Sequence, residues 1–243
     1  MEWTTPMWWR AVLPAVAVTT ACLVWGSAWP RCRWFGPVVW RGDIEREPRR
    51  LALLFEGLAE GESAIDLLAL LRETNTPAAF AVDQSTATRR PELLRRMDAE
   101  GHLIVNAGSG FTLANLFLGQ SVWRHMIDAT DDAIHAAIGR RPLLFAPPLS
   151  MKSPMMLREA GWCGYGLVVR SRGQHAWLPK RWDTFRMKRV PASGVVALRA
   201  DQARSAEQLA WLLHAWRDRG RIATRLDLLL HVQPYRRTTV MGR

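Results

Sequence analysis

The chain predicts an α/β protein built on a parallel sheet, and three observations lead there. Leu51-Ala52-Leu53-Leu54-Phe55 is apolar without alternation, which suits a strand buried on both faces. It stops at Glu56-Gly57, so a carboxylate stands at the strand's C-terminal end, where parallel α/β folds place binding and chemistry. From Leu51 onward, short apolar runs alternate with stretches of helical spacing, as strand–helix–strand units do.

Length and composition set the outer bounds. At 243 residues the chain is one domain, or one domain with an attached segment. The formal charge is +11 and almost all of the positive charge is Arg; the lysines are Lys152, Lys180 and Lys188. Arg suits phosphate, lipid-headgroup and carboxylate recognition. No continuous basic helix or aromatic-basic repeat occurs, so no nucleic-acid partner is expected. Cys22, Cys32 and Cys163 show no CxxC or Cys/His ligand spacing, which argues against a disulfide framework or a zinc ribbon.

Residues 1–30 read as an N-terminal membrane anchor or signal segment. Residues 11–29 carry no charge and, as a helix, just reach ~30 Å of hydrocarbon. Trp8, Trp9, Trp25, Trp29 and Trp34 flank or end the stretch as interfacial aromatics do, while Gly26-Ser27-Ala28 offers small residues at cleavage spacing. An uncleaved single-pass anchor is the preferred expectation. Residues 31–50 read as a basic linker. Its arginines favour the cytoplasmic side by the positive-inside tendency.

Ser63-Ala64-Ile65-Asp66 opens a helix, and Ala78-Ala79-Phe80-Ala81-Val82 is a strand ending at Asp83. Pro91-Glu92 starts a short helix that Gly101 follows. Leu103-Ile104-Val105 is a strand ending at Asn106. Trp123, Ile127, Ile134 and Ile138 share one face of a longer helix that Gly139 stops. Leu143-Leu144-Phe145 is a strand cut off by Pro147-Pro148. Ser153-Pro154 begins a helix, Gly164 to Val169 a strand, and residues 170–190 read as irregular and basic. Val195-Val196-Ala197-Leu198 is a strand, and Ser205 with Gln208 forms a capping box for the next helix. Ile222-Ala223-Thr224 is a last short strand, and residues 231–243 read as a mobile tail. That is about seven strands with helices between them.

The order of these pieces resembles the polysaccharide deacetylase (NodB homology) family of carbohydrate esterases, from about Gly36 to Leu230. The resemblance rests on Phe35-Gly36-Pro37-Val38-Val39-Trp40-Arg41-Gly42, on Leu51 to Phe55, and on Ala78-Ala79-Phe80. It continues through Pro91-Glu92-Leu93, Gly101-His102 ahead of Asn106, Gly139-Arg140-Arg141-Pro142 with Phe145 and Pro147-Pro148, and the Gly161 and Gly220 turns. It implies a distorted (β/α)7-type barrel over residues 51–230. It also implies deacetylation of a sugar by a metal, commonly zinc, held by one Asp and two His, with a neighbouring Asp as base.

Carried over position by position, that machinery is degenerate. The family's Thr-Phe-Asp-Asp-Gly is Leu54-Phe55-Glu56-Gly57-Leu58, so the base position keeps a carboxylate in Glu56 and the metal-binding Asp becomes Gly57. The family's Asn-His-x-x-x-His is Asn106-Ala107-Gly108-Ser109-Gly110-Phe111, which replaces both metal-binding His with Ala107 and Phe111. The Arg of its Arg-Pro-Pro motif is Ala146, and the late His-Asp pair is Ala200-Asp201. No catalytic residue, metal or cofactor is therefore expected. Glu56, Asp83, Asn106, Ser109, Pro148, Trp177 and Asp201 remain as binding-groove candidates.

The histidines add little. His102 fits a structural role, His125, His135 with Asp131, and His214 fit solvated helix faces, and His175 fits a surface loop. The expected protein is a membrane-tethered, catalytically inactive member that binds a glycan or an envelope protein partner in cell-envelope carbohydrate metabolism. Its globular part is expected on the periplasmic side of a bacterial-type inner membrane, against the charge bias. Two alternatives stay open: a hydrolase with a rebuilt or metal-independent site pairing Glu56 with Asp201, and an Arg-rich module for anionic lipid or nucleic acid.

Overall fold

Eight parallel strands carry the fold in a computed structural model that describes residues 9–28, 33, 38–57, 62–109, 119–147, 152–167, 172–173, 192–199 and 205–236. The strands are β1 (Arg50–Glu56), β2 (Ala78–Val82), β3 (Leu103–Asn106), β4 (Leu144–Phe145), β5 (Gly166–Leu167), β6 (Arg172–Gly173), β7 (Val195–Arg199) and β8 (Ile222–Ala223). The helices are α1 (Trp9–Ala28), α2 (Glu62–Glu73), α3 (Gln84–Arg89), α4 (Pro91–Ala99), α5 (Gln120–Ile138), α6 (Pro154–Trp162), α7 (Ser205–Arg217) and α8 (Leu226–Leu230).

The sheet order is β5-β4-β3-β2-β1-β7-β6, and β8 pairs with the N-terminal end of β1. The expected distorted barrel takes the form of a curled parallel half-barrel: among the described residues β5 and β6, the two ends of that order, do not pair. β4, β5 and β6 are two residues each and offer few ladder hydrogen bonds with which to complete a ring. β6 lies in the stretch expected to be irregular.

Alternation along β1 sorts the core into two faces. Leu51, Leu53 and Phe55 join Phe80, Val82, Ile104, Val196 and Leu198 beneath α2, α4, α5 and α7. There the Phe55 and Phe80 rings stack at 5.3 Å. Ala52 and Leu54 join Ala79, Ala81, Leu103, Val105 and Val195 on the inner face, which Leu226 and Leu229 of α8 cover.

Two segments expected to be loose are docked. Val38 is buried, Val195 donates its N–H to the carbonyl of Trp40, and Gly42 donates to Ser193 at 2.8 Å, so residues 40–42 of the expected basic linker dock against the lead-in and start of β7. Only glycine fits at 42, because a Cβ there would lie 2.2 Å from the carbonyl oxygen of Leu229. At the other end, Leu143 donates to Pro234, Arg236 donates to Arg141, and the Tyr235 hydroxyl accepts from Ile104 at 3.2 Å. Residues 232–236 are thus a strap against the lead-in to β4; the rest of the expected tail lies outside the described residues.

The expected transmembrane helix is not supported: among the described residues no helix is long and apolar enough to cross a membrane. α1 does form over that stretch, with Pro14 inside it. Its Val12, Leu13, Val16, Val18, Leu23, Val24 and Trp25 are exposed.

Candidate functional site

The C-terminal ends of β1, β2, β3, β4 and β7 define the rim. Glu56 closes β1, half-buried, on the side of the strand that carries Ala52 and Leu54. Its register neighbours are Ala81 on β2 and Arg199 on β7. Gly57 follows with φ +64°, in the left-handed region that side chains adopt reluctantly. The turn after β1 is therefore shaped by glycine at the position where the resemblance places a metal-binding Asp.

Asp83 caps α3: its carboxylate accepts the N–H of Thr86 at 2.7 Å. The sequence pattern missed this helix, because Ala87 is its one buried residue and no apolar stripe marks it. An Asp three residues ahead of a free N–H was the available signal.

Asn106 faces away from the inner surface. It pairs with Val82 and so shares the helix-side face, with no exposure. Its Nδ2 donates to the Ile127 carbonyl (3.0 Å) and to the Tyr165 hydroxyl (3.3 Å), and its Oδ1 accepts from Gly108 (2.8 Å). That placement corrects its reading as a groove residue; it braces β3 against α5. Ala107 and Ala146, in contrast, lie on the inner face, both buried. Ser109 is half-buried at the end of the same turn. Phe111, Pro148, Trp177 and Asp201 lie outside the described residues, as does His175.

Behind the rim lies a polar cluster that sequence reasoning missed. Asp131 is buried, not solvated: it accepts from the Tyr165 hydroxyl at 2.7 Å and from Arg141, which also pairs with Asp132 at 2.8 Å. Burial first, and then the bond to Asp131, push the Tyr165 phenol far above its ordinary value, so Tyr165 stays a donor. No pattern links positions 106, 131, 141 and 165, whose contact depends on β3, β5 and α5 meeting.

His102, His125, His135 and His214 stay away from the rim. His102 is buried, its Nδ1 accepting from Ala78 at 3.3 Å and its ring edge-on to Phe80 at 5.4 Å; burial lowers its pKa. His125, His135 and His214 are exposed on their helices.

A catalytic metal does not fit the described rim. Gly57 and Ala107 bring no donor atom, Asp83 is committed to a helix cap, and Asn106 is turned outward. Among the described residues no three His, Cys, Asp or Glu side chains could hold a metal ion. No hydrolytic step through a metal follows from these residues.

Solved structures share the architecture. A family 4 carbohydrate esterase from Bacillus anthracis superposes with a TM-score of 0.67 at 21% identity, over 87% of this chain and 91% of that one. A family 4 carbohydrate esterase from Streptomyces lividans, in complex with acetate, gives 0.67 at 20% identity over 74% and 94%. A wild-type pseudoenzyme of the same family from Bacillus anthracis gives 0.70 at 15% identity over 79% and 68%. The class is thus the curled parallel half-barrel of these esterases. No curated protein sequence matches the chain. The family model for polysaccharide deacetylase matches residues 43–168, more than half of the chain, and the protein belongs to that family.

Proposed function

We propose that this protein is a catalytically inactive polysaccharide deacetylase homologue that binds a glycan or a partner in cell-envelope carbohydrate metabolism. One observation carries the reading: the inner rim presents Gly57 and Ala107 where the family resemblance calls for metal ligands, while the packing positions of the sheet are kept. The similarity to a pseudoenzyme from Bacillus anthracis is consistent with it, and a mutant of that protein is described as having restored enzymatic activity. The test is a deacetylase assay on acetylated glycans, with metal analysis of the purified full chain. No turnover is expected with added zinc, cobalt or manganese. Turnover that needs both a metal and Glu56 overturns the proposal.

A second reading keeps Glu56 as a metal-independent general base with Asp201, favoured by the half-buried carboxylate retained on the inner face. It predicts metal-free hydrolysis abolished by Glu56→Gln; equal rates in the two proteins sink it.

Membrane attachment through α1 belongs to the same proposal. Six exposed aliphatic side chains, Val12, Leu13, Val16, Val18, Leu23 and Val24, favour an apolar phase. Removing residues 9–28 should move the protein from the membrane fraction to the supernatant, and unchanged fractionation rejects the attachment. A periplasmic domain follows from the class of polymer, and protection of the domain from added protease in spheroplasts would overturn it.

A further inference from the structure

The outer surface where α5 meets α6 carries a feature that the rim does not use. Trp162 ends α6 and is 70% exposed, more than any other large apolar side chain among the described residues. Exposing an indole to water is unfavourable unless something covers it. Two guanidiniums lie against its ring: Arg124 at 5.8 Å and Arg158, one turn earlier on α6, at 6.0 Å from the centroid. Arg124 is fixed from below, since its Nε donates at 2.8 Å to Glu159, a carboxylate with no exposure. Arg236 adds a third cation alongside, donating to the carbonyl of Cys163 at 3.0 Å. Besides the buried Glu159, Asp128, near the Cys163 thiol at 3.9 Å, is an acidic group on this side.

An exposed indole edged by two guanidiniums suits a sugar ring that also bears an anion. The apolar C–H face of the sugar packs on the exposed part of the indole, and the planar forks take the carboxylate or phosphate oxygens. The chain's net charge of +11 concentrates such a polymer near the surface. Arg124 is held by Glu159 before any ligand arrives, which reduces the ordering cost of binding.

We propose that Trp162, Arg124 and Arg158 form a docking site for an acidic polysaccharide, separate from the strand-end rim. The site is tested by affinity electrophoresis of the full chain through gels containing polygalacturonate, dextran phosphate or neutral dextran. The expected result is retardation by at least one anionic polymer and none by dextran, weakening as salt rises. Trp162→Ala and Arg158→Gln should each weaken retention by about tenfold or more with circular dichroism unchanged. Trp211→Ala, an exposed tryptophan on α7, should leave it intact. The better-retained polymer distinguishes a carboxylate from a phosphate ligand. Retention unaffected by Trp162→Ala, retention equal in dextran, or tighter retention by duplex DNA overturns the proposal.

Discussion

The two ends of β1 obey different demands. Along Leu51, Leu53 and Phe55 the strand meets helices on one side and packs to no exposure. Directly after Phe55 the rim begins, and it holds glycine, alanine and one half-buried carboxylate. A buried face constrains volume and shape at every position, because each lost methylene removes contacts that nothing replaces. A rim constrains chemistry instead, so glycine and alanine can stand there without disturbing the sheet beneath.

Substitutions can break that contrast. Phe55→Ala should cost most, about 3–5 kcal/mol in urea unfolding, since it empties a fully buried ring site stacked on Phe80. A loss below 1 kcal/mol would mean that the helix-covered face is looser than its burial indicates. Tyr165→Phe should cost about 1–3 kcal/mol, because Asp131 keeps its burial and loses a donor. Asp83→Ala should cost about 0.5–2 kcal/mol, the value of an N-cap alone. If Asp83→Ala also abolishes glycan retention, the rim is a binding surface rather than a capped turn.

The smallest effect is a pH dependence. Burial holds the folded-state pKa of His102 below its ordinary 6.5. Above 6.5 both states are neutral there and stability is fully present. As pH falls below 6.5 the unfolded chain takes the proton first, so stability declines down through the folded value. Thermal melts from pH 8 to pH 5 should show the decline, and His102→Gln should reduce it. An unchanged slope in the variant assigns the acid sensitivity elsewhere.

Much of the sheet was legible because its signals are local. Unbroken apolar runs marked β1, β2, β3 and β7, and Trp123, Ile127 and Ile134 marked the buried stripe of α5. The small residues at the strand ends were legible too, since Gly57 and Ala107 lie at fixed offsets from β1 and β3. What escaped was non-periodic: α3 with one buried residue, the two-residue β6, and the docked 232–236 strap.

Residue identity alone determined which side chains the described rim offers, because Glu56 brings a carboxylate while no arrangement of the Gly57 and Ala107 side chains supplies an imidazole or a carboxylate. Where each surviving polar group points was decided only in three dimensions. Asn106 ends its strand as a binding residue would, yet the parity of β3 beside β2 turns it towards Tyr165 and Ile127. Asp131 sits on a helix beside exposed residues, yet the approach of Arg141 and Tyr165 makes it a buried anchor. Direction and burial depend on which elements meet, and such long-range contacts leave no mark in local spacing.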